Sequence, residues 1–142
     1  MTRAGAIMRF IQRVATLSGI VFIVVSALGL VTGGMPGMKM GGASVMLLGL
    51  FPVNMLHNLV HGAFGIWGVI AGRSEKASVT YALGSGVAYL LLGVLGLFTD
   101  SLLGMVPIGG YDVVLHLVLA LALAGCGFWA LWFAPQRQPA RA

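Results

Sequence analysis

The chain repeats itself. Leu47-Leu48-Gly49-Leu50-Phe51-Pro52-Val53 returns as Leu102-Leu103-Gly104-Met105-Val106-Pro107-Ile108, 55 positions later. Upstream, Ser18-Gly19 matches Ser85-Gly86, and Leu28-Gly29-Leu30 before Thr32 matches Leu95-Gly96-Leu97 before Thr99, at an offset of 67. The offsets differ by 12, so the first half carries 12 extra residues, a Gly/Met-rich run at 33–44. A fold built from a doubled unit places equivalent side chains at equivalent depths. On the 55-residue offset His57 falls opposite Asp112, and His61 opposite His116.

The repeated unit is apolar. Mean hydropathy is +1.02 and only 8% of residues are charged, which excludes an ordinary soluble domain. Four stretches approach or reach the 20 or so residues of helix needed to cross a bilayer, at about 14–32, 53–72, 78–98 and 111–134. No strand-like alternation is evident, which argues against a transmembrane barrel. Arg3, Arg9 and Arg13 precede the first stretch, Arg73 and Lys76 separate the second and third, and Arg137 and Arg141 follow the fourth. Lys39 alone lies on the other side, so the basic residues place both termini in the cytoplasm. The net charge of +5 reads as this topology signal and as attraction to anionic lipid heads, with no nucleic-acid partner implied. The arginine-led N-terminus resembles a secretory signal, but its match to an internal segment argues for an uncleaved span.

Two spans per repeat make both halves run the same way, related by a pseudo-two-fold axis along the membrane normal. The expected fold is an all-α membrane protein: one domain over 1–142, a four-transmembrane-helix bundle of two parallel two-helix repeats, at about 14–72 (with the 33–44 insertion) and 78–134. Helices two and four are expected to face each other across the axis. Gly62, Gly65, Gly68, Gly86, Gly93, Gly96, Ala120 and Ala124 offer small faces for close packing. Pro52 and Pro107 each mark a break between an interfacial turn and a span, and Asn54 is an N-cap candidate.

The polar residues carry the functional expectation. His57 and His61 share a helix face, Asn54 and Asn58 extend it, and Asp112 and His116 repeat the spacing on the fourth span. At 1.5 Å per residue, His57 and Asp112 sit about 5–8 Å inside the outer boundary and His61 and His116 about 12–14 Å. This predicts two tiers, His57 with Asp112 and His61 with His116. Ionisable groups in a span are costly and usually face the bundle interior. The leading expectation is a transition-metal site (zinc, iron or copper) ligated by His57, His61, Asp112 and His116, with Asn54 and Asn58 hydrogen-bonding behind them. The runner-up is an accessory or structural subunit that packs on a larger membrane complex or on its own copies through its glycine-rich faces, the polar groups forming an internal hydrogen-bond network. Bis-histidine haem through His61 and His116 is a lesser alternative, because Gly65 and Ala120 suggest helices too close for a porphyrin; a proton or ion path is another.

Other features say less. Met35, Met38 and Met40 in the inserted loop offer soft thioethers to copper(I), or simply pack on lipid or a partner. Cys126 reads as a small core residue, and Trp129 and Trp132 as interface anchors. There is no GxSxG, Walker loop, nucleotide-binding glycine fingerprint or HExxH, so enzyme activity is not expected.

Phe51-Pro52-Val53-Asn54-x-x-His57-Asn58-Leu59-Val60-His61, followed by Gly65 and Gly68, resembles domain of unknown function 4383, a family of small four-span bacterial membrane proteins. Asp112-x-x-Leu115-His116 also resembles its pattern, and the similarity spans about residues 14–134. The resemblance implies a four-helix protein of the bacterial cytoplasmic membrane and supplies no activity, ligand or partner.

Overall fold

The computed structural model describes residues 3–33 and 44–133, so the Met35, Met38 and Met40 loop lies outside the described residues. Four helices carry the fold: α1 (Arg3–Gly33), α2 (Met55–Ala71), α3 (Glu75–Gly96) and α4 (Tyr111–Phe133). α1, α3 and α4 are long and apolar enough to cross a membrane, whereas α2 is a shorter apolar helix of 17 residues. α1 begins 11 residues before the expected span, because the Arg-bearing segment continues the helix without a breaker. Ser74 caps α3, its hydroxyl accepting from Ala77 N at 3.1 Å.

α1 pairs antiparallel with α2, and α3 with α4, through glycines. A Cβ on Gly19 would lie 2.6 Å from Val69 N, one on Gly65 2.8 Å from Gly19 O, and one on Gly86 2.7 Å from Ala124 N. Those distances are shorter than any real Cβ contact, so the backbones touch where only glycine fits. The sequence offsets recur in space. Gly29 abuts the Asn58 side chain and Gly96 abuts Val113, the residues 67 and 55 positions on. Between the pairs, Ser18 bonds Tyr81 and Phe22 packs on Tyr89, with ring centroids 5.4 Å apart. The small residues at these crossings are therefore consumed inside the bundle.

Sequence reading expected only turns before the second and fourth helices. The structure places two antiparallel hairpins there, β1 (Val45–Leu47) with β2 (Phe51–Val53), and β3 (Ser101–Leu102) with β4 (Val106–Pro107). Strands of two or three residues are too short to show alternation. Pro52 and Pro107 lie in β2 and β4, just ahead of the helix starts. Each hairpin turns through a leucine and a glycine at positive φ, Leu48 (55°) and Gly49 (70°), then Leu103 (53°) and Gly104 (69°). Leu50 N to Leu47 O at 3.1 Å and Met105 N to Leu102 O at 3.0 Å close these turns. Two successive positive φ values belong to the type I′ turn, whose twist matches paired strands.

Outward surfaces are apolar, with Leu17, Val31, Leu121 and Phe128 all more than half exposed, while Asn54, His57, Asn58, His61, Asp112 and His116 are buried. Apolar residues outside and polar groups inside is the distribution a lipid solvent imposes.

Candidate functional site

The site is built on α2. Asn54 is extended, and its Oδ1 accepts from His57 N at 2.9 Å, which caps the helix as its sequence position suggests. The next turns bring His57, Asn58, His61, Gly65 and Gly68 onto the buried face. Asn58 and Gly65 sit against α1: the Asn58 carbonyl accepts from Ser26 Oγ at 2.7 Å. His57 and His61 instead turn toward the second half.

Backbone carbonyls fix the imidazoles. His57 Nδ1 lies 2.9 Å from Pro107 O, and His61 Nδ1 lies 3.2 Å from His57 O. A carbonyl oxygen only accepts, so each Nδ1 carries the proton and donates. In a neutral imidazole that arrangement leaves Nε2 unprotonated. The Asn54 amide nitrogen also donates across to Met105 O at 2.6 Å. Two side chains of the first half thus close on the backbone of the second hairpin.

On α4, Asp112 sits in the first turn, where the helix dipole favours a carboxylate. Its Oδ2 lies 3.4 Å from His116 Nδ1, within ion-pair distance, yet neither atom makes an aligned hydrogen bond. Both residues are 2% exposed, so these are buried polar atoms without a protein partner. Asn58 Oδ1 is a third.

The rings form a closed cluster, since Tyr89 also lies 6.5 Å from His61. His57 stacks on His61 at 4.6 Å and 9°, and on His116 at 6.4 Å and 21°. Tyr89 stacks on His116 at 5.3 Å, and Phe22 meets His61 edge-on at 5.6 Å. The expected tiers are therefore corrected. Asp112 lies beside His116 on its own helix, and His57 meets His116 and Pro107 where Asp112 was expected. The reason is that α2 and α4 are diagonal in the bundle: each packs chiefly on its antiparallel partner, and they reach each other through side chains. Gly65 correspondingly packs on Gly19 and Ile23 of α1, away from Ala120.

Phe22, Tyr81 and Tyr89 were not singled out from sequence. The repeat held the signal for two of them, since Phe22 and Tyr89 are related by the same offset of 67. Trp129 packs edge-on against Phe10 at 5.5 Å, and Cys126 borders the apolar cluster of Ile7, Ile11, Val79, Ala82 and Ala130. Among the described residues, no group of three or more His, Cys, Asp or Glu is arranged to hold a metal ion.

These features define a helical, membrane-type protein with a buried imidazole, amide and carboxylate cluster. A family model described as "Domain of unknown function (DUF4383)" matches residues 12–129, and the chain belongs to that family. No curated protein and no solved structure matches it.

Proposed function

We propose that the protein is a non-enzymatic integral membrane protein of four spans, acting as an accessory or structural subunit of a larger membrane complex. Its buried cluster locks two helix pairs together near the extracytoplasmic face of a bacterial cytoplasmic membrane. The pairs would run parallel about a pseudo-two-fold axis, with both termini in the cytoplasm. Ser18 against Tyr81 and Phe22 against Tyr89 support the parallel arrangement, since both contacts advance together along α1 and α3. The basic residues support the orientation. α2 extends about 26 Å, and the extended residues before it make up the difference from a bilayer core of about 30 Å.

One observation carries this reading: the bonds from His57 and Asn54 to Pro107 O and Met105 O. Donors directed at backbone carbonyls of the other half fix helix register, and in an apolar interior each such bond is costly to lose.

A second reading is transition-metal binding. It is favoured by the Nδ1–H to carbonyl bonds of His57 and His61, the arrangement that typically presents Nε2 to a metal, and by the unpartnered Asp112 Oδ2 and His116 Nδ1. It requires the rings to swing from their stacked positions to converge on one ion. A haem is disfavoured because Tyr89 lies against both His116 and His61.

Elemental analysis of protein purified without chelators separates the two. Metal-free, cooperatively unfolding protein supports the structural reading. A stoichiometric metal that is lost in a His61→Ala, His116→Ala double variant overturns it in favour of ligation.

A further inference from the structure

At the opposite end of the bundle from the histidines, a groove of about 420 Å³ opens between α1 and the end of α2, lined by Arg9, Gln12, Arg13, Thr16, Leu17 and Gly72. Its position is independent of the buried cluster. Arg9 and Arg13 are one turn apart on α1, so both guanidiniums project from one face. Like charges at this spacing repel, and an anion seated between them relieves that repulsion.

The floor of the groove is fixed. Gln12 Nε2 donates to Gly72 O at 3.2 Å, and the Thr16 hydroxyl donates to Gln12 O at 3.0 Å. Gly72 adds no side chain, and a Cβ there would overlap the Thr16 hydroxyl. Gln12 is therefore held against α2, leaving the arginines free to face outward. Below them the wall turns apolar at Leu17, which continues into the exposed ridge of Ile20, Val21 and Val24. Phe10 against Trp129 lies at the same end, an aromatic contact suited to the headgroup level.

Two exposed guanidiniums above an apolar wall match one kind of ligand, an amphiphile with an anionic head. We propose that this groove binds the phosphate headgroup of an acidic phospholipid, with Arg9 and Arg13 clamping the phosphate and Leu17 receiving the upper part of an acyl chain. Guanidinium forks suit phosphate oxygens through paired, charge-assisted hydrogen bonds.

The test is thermal unfolding of the full chain in a neutral detergent, titrated with short-chain phosphatidylglycerol, phosphatidylcholine of the same chains, or inorganic phosphate. Phosphatidylglycerol should raise the midpoint saturably, while the other two leave it unchanged. An Arg9→Gln, Arg13→Gln double variant should weaken that response at least tenfold, and Lys76→Gln, outside the groove, should retain it. Native mass spectrometry of lipid carried by the single variants Arg9→Gln and Arg13→Lys serves if the double variant does not fold, and each should retain less phosphatidylglycerol than the parent. Several results would overturn the proposal. They are an unchanged response in the arginine variants, an equal loss in Lys76→Gln, an equal shift with phosphatidylcholine, and full stabilisation by inorganic phosphate, which would make the groove a free-anion site.

Discussion

At His57 one ring nitrogen donates to a carbonyl of the other half while the ring faces stack on two further imidazoles. Truncation would leave Pro107 O unpaired in an apolar interior and open a gap between the rings. His57→Ala is therefore expected to cost about 2–4 kcal/mol, read as a lowered unfolding midpoint in detergent. Asp112 is the opposite case. Its Oδ2 accepts no hydrogen bond, so burying that oxygen brings a desolvation penalty that no bond to it offsets. Asp112→Asn, which keeps the shape, should change stability by no more than about 1 kcal/mol or raise it. A loss several times larger would mean that the carboxylate is engaged by a group outside the described contacts. The histidines and Asp112 were legible as a buried set because charge is so rare in these spans. Their pairing was not legible, because equal depth on two helices does not fix which side chain turns toward which.

Among the elements, the helix pairs depend on backbone contact at glycine and the hairpins on two strained leucines. A Cβ at Gly65 would meet Gly19 O at 2.8 Å and Ile23 N at 2.8 Å, backbone atoms that cannot step aside. Gly65→Ala should separate α1 from α2 and cost at least about 2 kcal/mol, whereas Gly125→Ala, with nothing within 4 Å, should be neutral or slightly stabilising. Comparing the two unfolding midpoints separates packing from helix propensity. Leu48 holds a φ of 55° at a position that asparagine or glycine occupies more cheaply. Leu48→Asn is expected to raise stability by about 0.5–1 kcal/mol in the same assay. The helices were legible because long apolar runs allow little else in lipid. The hairpins were hidden because Leu-Gly lacks the usual Asn-Gly turn signature and each strand is only two or three residues long.

For the whole molecule, the duplication seen in the sequence fixes which residues meet inside each half, as Gly29 with Asn58 and Gly96 with Val113 show. It does not fix how the halves join, since contacts across the axis depend on where the sequences differ: Asn54 faces Gly109 in the repeat alignment, and His57 faces Asp112. Those differences are where the cross-links form, His57 to Pro107 and Asn54 to Met105. In the proposed function the imidazole cluster is a fastener between the halves. Solid-state NMR of the protein in lipid bilayers, with labelled histidine and proline, tests it directly. The expected result is a protonated Nδ1 on His57 with a through-space contact to the Pro107 carbonyl carbon, and an unprotonated Nε2 on the same ring. A proton on Nε2 alone, or a His57 ring remote from Pro107, would contradict it.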